Sequence, residues 1–402
     1  MISRSSVFNP NKDNWLQFII ASFLVISSVA GFFHYGVLYY ILLAFIGVLF
    51  LFQPSLSLCI GMPSILFFLF ACAISLVVND TPSYFKAWAR LFVYFLMLLV
   101  VSPLFTNKYI GLIRSKVFRY CLVTLSFLSI GSFIAYFLGI NLFIRNGTEA
   151  EIGAGTFSGL MNHSMVLGPF AAISSVFLFG SYLSVKKVSL RILLLMASVV
   201  CIGASLLAAS RIAVAAGLSS LLLLLIRYYQ GRFSKVFMVV IIVVALAAST
   251  FPIWSSFTDF LVSKSKSNIE LGGMLYSREH KITARLSEFK SSPLFGIGFC
   301  TVDPRYDVVQ FDNGQIEPGS SWLAIASMTG ILGLVAFIRV VIVAFRQAWR
   351  IKNKNVSSVL SAILLFYLIH MLAEGYIMAP RSFLAMTFWL LLGTINAEYN
   401  KE

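Results

Sequence analysis

Apolar residues fall in twelve blocks along this chain, at roughly 15–33, 35–53, 57–78, 87–106, 117–140, 162–183, 190–209, 211–229, 236–253, 321–345, 356–378 and 380–397. Most are close to the ~20 residues a helix needs to cross the hydrocarbon core of a bilayer. The pattern predicts an all-α fold: a polytopic transmembrane helix bundle of about 12 spans, folding as a single membrane domain over 1–402. The third block is the least regular, with Gln53-Pro54-Ser55 before it and Gly61-Met62-Pro63 within it. The one long polar stretch, 254–320, separates blocks nine and ten and is expected to be a large external loop. Within it Ile282, Leu286 and Phe289 recur at helical spacing, with Arg278, Lys281 and Arg285 on another face. This predicts an amphipathic helix near 278–290, closed by a turn at Pro293, Gly296 and Gly298.

Composition agrees with the pattern. Only 11% of the 402 residues are charged and 59% are apolar, whereas a soluble domain carries about a quarter charged residues. The first block follows Arg4 and Lys12 and lacks a small-residue cleavage site, so it is expected to be an uncleaved span. Four of the five cysteines (Cys59, Cys72, Cys121 and Cys201) lie in apolar runs and Cys300 stands alone in the loop, which suggests neither a disulfide framework nor a metal site.

A net charge of +15 raises the question of nucleic acid, and its distribution answers it. Lys108, Arg114, Lys116 and Arg119 follow block four; Lys186, Lys187 and Arg191 follow block six. Arg227, Arg232 and Lys235 follow block eight; Arg346, Arg350, Lys352 and Lys354 follow block ten. Threaded through the membrane, all these links share a side with both termini, and by the positive-inside rule that side is the cytoplasm. Cytoplasmic segments then hold 17 Lys and Arg against 3 Asp and Glu, while the external side holds 12 of each. The basic balance is a topology signal and an attraction to anionic lipid, not a nucleic-acid footprint.

Candidate chemistry therefore lies on the external side. Arg90, Arg211, Arg278, Arg285 and Arg381 sit at outer span ends or in the loop. Arg211 follows Ser210 in a link too short to be a solvated loop, so its guanidinium needs either a polar cavity with an anion or a snorkelling position at the headgroups. Bidentate guanidinium donors suit phosphate oxygens. Asn162, His163 and Ser164 open block six, where His163 is a base, a diphosphate donor or a cap. His370 and Glu374 share a helix face in block eleven, as a base site or an interhelical hydrogen bond. Glu317, Ser320 and Ser321 precede block ten beside Gly319, where a helix start offers amides to an anion or Ser320 caps the helix.

These residues, taken in order, resemble the membrane family of O-antigen polymerases and O-antigen ligases. The similarity is carried by Ser158-Gly159-Leu160-Met161-Asn162-His163, by Ser210-Arg211, and by the loop arginines with Pro293-Leu294-Phe295-Gly296-Ile297-Gly298. It continues in Ser321-Trp322-Leu323 through Thr329-Gly330-Ile331-Leu332-Gly333. The resemblance implies a bacterial inner-membrane glycosyltransferase for polysaccharide (lipopolysaccharide) biosynthesis that works outside the cytoplasm, without cofactor, metal or nucleotide. It implies an undecaprenyl diphosphate-linked oligosaccharide as donor and a sugar hydroxyl as acceptor. Arg211, with Arg278 or Arg285, is then expected to hold the diphosphate, and Asn162, Ser320, Ser321 and Arg381 to line the acceptor. Many members carry a His-Asn pair before the span that follows the loop; here Ser320-Ser321 stand there. His280, Glu317, His163 and Glu374 remain as catalytic candidates, and arginine-assisted loss of diphosphate is the alternative to a strong base.

The missing histidine pair favours a polymerase of repeat units (O-antigen, capsule or exopolysaccharide) over a ligase acting on lipid A-core. A chain-length regulator and a flippase are expected as partners, with membrane lipids and no nucleic acid. The competing class is an oligosaccharide-lipid transporter. Against it stand the lack of internal repeats, the few ionisable groups at mid-membrane and the arginine-bearing loop.

Overall fold

The computed structural model describes residues 14–33, 36–51, 59–79, 86–142, 157–229, 232–249, 276–307 and 318–401, with a 3-10 turn at Ser255–Thr258 and isolated positions around it. Each of the twelve apolar blocks coincides with a helix. In chain order these are α1 (Asn14–Val29), α2 (Gly36–Leu51), α3 (Pro63–Val78), α4 (Ala87–Val101), α5 (Lys108–Phe137), α6 (Ser164–Ser184), α7 (Val188–Leu207), α8 (Arg211–Tyr228) and α9 (Phe233–Ser249). After the loop helix α10 (Tyr276–Ser291) come α11 (Ser321–Arg350), α12 (Lys354–His370) and α13 (Phe383–Asn400). Five of them, α5, α6, α7, α8 and α11, are long and apolar enough to cross a membrane by length and composition. The described residues also include two short paired strands, β1 (Cys59–Ile60) and β2 (Phe105–Thr106), antiparallel with Cys59 opposite Thr106.

The ends of the elements follow local chemistry. Pro63 opens α3, where a missing N–H leaves no helical bond unmade. His163 and Ser382 cap α6 and α13 by accepting the amides of Met165 and Ala385. The basic link expected after block four is instead the first turns of α5. Arg114 is buried there and donates to three main-chain carbonyls, Leu99, Val100 and Phe105, at 2.8–2.9 Å. It closes the end of α4, whose last carbonyls have no partner in their own helix.

The chain forms two compact units. One comprises Met1–Ala44, Ser115–Lys264 and Ile351–Phe366. Its centre is α6, which meets α7 and α8 through small residues. The Ser205 hydroxyl donates to the Gly168 carbonyl at 3.0 Å, and the Ser175 and Ser198 hydroxyls lie 3.0 Å apart. A Cβ on Gly217 would sit 3.1 Å from that of Ala172. Lipid is as apolar as leucine, so close van der Waals approach and such hydroxyl bonds hold helices together where water cannot drive them. On α7, Ile192, Met196 and Val199 are left exposed along one stripe, as a lipid-facing surface requires.

The other unit comprises Phe45–Arg114, Ser265–Arg350 and Tyr367–Glu402. Its core is aromatic. Trp389 of α13 is fully buried, donates its indole N–H to the Tyr94 hydroxyl at 3.0 Å, and packs against Phe68, Phe337 and Phe388. Tyr94 in turn donates to the Ile377 carbonyl at 2.9 Å, so the indole N–H and the phenol hydroxyl both have partners. Against this core lie α3, α11 and, on α11, the loop helix α10.

Candidate functional site

Helix α10 is the polar element of the second unit, and its cations converge on carboxylates. Asp307, with its side chain 3% exposed, accepts from Lys281 Nζ at 3.0 Å and from Arg285 Nη2 at 2.7 Å, with His280 Nε2 at 3.4 Å. Arg285 has no exposed surface, and its Nη1 also lies 2.9 Å from Glu288 Oε2, an ion pair whose angle falls short of a hydrogen bond. Glu288 Oε1 accepts the Asp303 amide at 3.0 Å, and Asp303 pairs with Arg305 at 2.6 Å. Burial pushes the Glu288 carboxyl up to about 7, against the opposing pull of Arg285 and the Asp303 amide. Asp303 is held below the usual carboxylate range, chiefly by hydrogen bonding to Arg305.

Beyond α10 the segment 293–298 seats itself on a break in α11. Gly330 adopts φ 64°, ψ −166°, which interrupts the helical bonding between Ser327 and Leu332. The loop supplies the missing partners. The Ile297 and Gly298 amides donate to the Ser327 and Met328 carbonyls at 2.8 and 3.1 Å. In return the Ile331 amide donates to the Pro293 carbonyl at 2.8 Å. The approach is backbone to backbone: a Cβ on Gly296 would overlap the Met328–Thr329 main chain, and one on Gly330 would overlap Leu294. A broken helix is tolerated at such a depth only where protein re-satisfies its freed groups, and here Pro293-Leu294-Phe295-Gly296-Ile297-Gly298 does so.

The start of α11 is stitched to the irregular segment after α12. The Ser321 amide and hydroxyl both donate to the Glu374 carbonyl, at 3.0 and 2.7 Å, while its Oγ accepts the Tyr376 amide at 3.0 Å. Ser320 Oγ donates to the Met371 carbonyl at 3.1 Å. Both hydroxyls thus bond to the backbone of the segment after α12. The Glu374 side chain turns to α10, where its Oε1 accepts from Arg278 Nη2 at 2.6 Å; Arg278 Nη1 also reaches the Gly319 carbonyl at 3.4 Å. This pair keeps some surface, with side chains 21% and 16% exposed. His370 ends α12 and is buried against the Tyr376 hydroxyl at 3.3 Å, so it and Glu374 do not share the expected helix face.

In the first unit, Arg211 is the first residue of α8, behind Ala209 in a left-handed conformation (φ 53°). Asn162 donates its amide to the Val29 carbonyl at 2.9 Å and its side chain to the Ser28 carbonyl at 3.3 Å, tying the start of α6 to the end of α1. The His163 ring nitrogen Nδ1 is the α6 cap. Of the other candidates, Arg381 is exposed beside the start of α13, and Glu317 lies outside the described residues.

Comparison with known families bears on one part of this layout. Residues 196–338, from α7 through the loop to the middle of α11, match the O-antigen ligase family. This region belongs to the O-antigen polymerase and ligase family. The match takes in the Arg211 turn, α10 with its carboxylates, the 293–298 clasp and the Gly330 break. No curated protein matches the chain. With its apolar helices the chain is a multi-pass membrane protein, and the match over this region supports a glycosyltransferase-like role in polysaccharide biosynthesis.

Sequence reasoning passed over Asp303, Asp307 and Glu288 as site residues. Their signal in the sequence is their place as acids in the same loop as the cations. A buried guanidinium needs a partner such as a carboxylate, and for Arg285 that partner is Asp307.

Proposed function

We propose that this protein is a polymerase of undecaprenyl diphosphate-linked repeat units, acting at the external face of a bacterial inner membrane with both termini cytoplasmic and no metal. The observation that carries the reading is the Arg278–Glu374 pair: a guanidinium and a carboxylate, partly exposed, held between the family-matched loop helix and the segment after α12. Arg278 receives the donor diphosphate, whose oxygens suit a guanidinium's forked donors. Glu374 takes the proton of the acceptor hydroxyl. Lipid diphosphate is already a good leaving group, so stabilising its charge and positioning the acceptor supply most of the rate. Attack at the anomeric carbon from the side opposite the diphosphate inverts its configuration.

Arg285 was the other loop candidate for the diphosphate. Its complete burial and its pairing with Asp307 and Glu288 favour a role inside the loop, holding α10 in place. Arg211 keeps the diphosphate role that the family resemblance implies. The ligase alternative, transfer to lipid A-core, is favoured by the description of the matched family; the Ser320-Ser321 pair, where ligase-like members carry His-Asn, favours the polymerase. A chain-length regulator and a flippase are the expected partners.

The test is polymer profiling in cells lacking the gene, complemented with wild type, Arg211→Ala or Arg278→Ala. Single capped repeats at the surface, unrescued by either variant, are expected. Long polymer stranded on the lipid carrier in the deletion would make the protein a ligase, and repeats trapped on the cytoplasmic face would make it a transporter.

A further inference from the structure

Among the described residues, four carboxylates pair with or lie beside the cations of this loop, and three of them are closed off. Asp303 and Asp307 are each 3% exposed at the side chain and Glu288 is not exposed at all. Only Glu374 retains appreciable side-chain surface, and its partner Arg278 retains it too. The backbone of Glu374 is pinned, because its carbonyl accepts two bonds from Ser321. The carboxylate is joined to that fixed point by rotatable side-chain bonds. It can turn from Arg278 while its backbone stays on Ser321, whereas Asp307 is buried between Lys281 and Arg285.

We propose that Glu374 is a substrate-opened latch: its carboxylate occupies the place on Arg278 that the donor diphosphate takes, and donor binding releases it to act as base. This rests on the donor reading above. A diphosphate carries more charge than one carboxylate and offers a guanidinium two oxygens where Oε1 of Glu374 now sits. As a phosphate oxygen takes Arg278, Glu374 loses its cation and gains an anion as neighbour. Both changes strengthen a carboxylate's hold on a proton. The acceptor oxygen then bonds to the anomeric carbon and its proton passes to Glu374. The bond from that carbon to the diphosphate oxygen breaks, with its electron pair leaving on the diphosphate. Before the donor arrives the base is masked, so binding is ordered, donor first and acceptor second.

The latch makes opposite demands on binding and turnover. Removing the carboxylate removes the donor's competitor as well as the base. The full-length protein, purified in detergent, is titrated with undecaprenyl diphosphate, and polymer formation is assayed on the same preparations. Glu374→Gln is expected to bind the probe about tenfold more tightly, a gain of ~1.4 kcal/mol, while turnover falls by ~10² or more. Glu374→Asp keeps the charge and is expected to bind as wild type does, with a smaller loss of turnover. A purely structural role predicts parallel loss of binding and turnover in Glu374→Gln, and that result, or unchanged affinity, overturns the latch. If Glu374→Gln fails to fold, tighter binding at pH values low enough to protonate the carboxylate in wild type, absent from Arg278→Met, is the required outcome, and a flat profile overturns it. Wild type that does not bind the probe at all would instead refute the donor reading itself.

Discussion

Single residues in the loop show how burial sets chemistry. Glu288 is fully buried, and loss of hydration lifts its carboxyl from 4.5 to about 7. The folded protein therefore binds this proton more tightly than the unfolded chain does. Its contribution is complete below pH 4.5 and is lost as pH rises towards 7, by at most about 3 kcal/mol. Apparent melting temperature in detergent should fall from pH 5 to pH 8, and Glu288→Gln should flatten that slope. Equal slopes in the two proteins would assign the pH dependence to other groups. Gly330 shows the same principle for the backbone. Its dihedral angles suit glycine alone, and a Cβ would overlap Leu294. Gly330→Ala is expected to destabilise by ~3 kcal/mol or more, against ~1 kcal/mol for Gly139→Ala. Gly139 has a similar φ of 69° but nothing within 4 Å of the added carbon, so the difference between the two melting shifts isolates the contact between loop and broken helix.

Among the elements, α11 and its neighbours carry the site. The apolar run from Ser321 made a helix legible, and Gly330 within it could be read as a motif residue, but not as a break. Helix propensity charges a lone glycine only ~1 kcal/mol, too little to predict an interruption. The break exists because 293–298, distant in sequence, supplies its hydrogen bonds. Ser321 belongs to the same level, because one hydroxyl joins the start of α11 to Glu374, Tyr376 and Ile377. Ser321→Ala should cost ~2 kcal/mol in stability, by leaving several buried partners unmatched. Activity should fall beyond that loss, since the turn bearing Glu374 loosens. Ser320→Ala removes the Met371 contact alone at that turn and should preserve turnover. Matched turnover in the two variants would deny Ser321 any part in positioning Glu374. The loop helix itself was legible from its 3.6-residue periodicity and runs from Tyr276 to Ser291.

For the whole molecule, the sequence by itself determined the class, an all-helical membrane protein. Blocks of apolar residues close to bilayer length leave the backbone few options but helices, because no water is present to satisfy its polar groups. The order of motifs from Ser158 to Gly333 pointed to the family that residues 196–338 match. The tertiary structure decided what each charge does. Arg114, a link residue by its position in sequence, closes α4 from inside the fold. Arg285, a ligand candidate by composition, is buried among carboxylates, whereas Arg278, seven residues earlier on the same helix, keeps some exposed surface beside Glu374. Periodicity follows from local geometry and is written in neighbouring residues. The partner of a charge is set by desolvation and by which distant segment comes within 3 Å, and only folding brings Asp307 to Arg285 and Glu374 to Arg278.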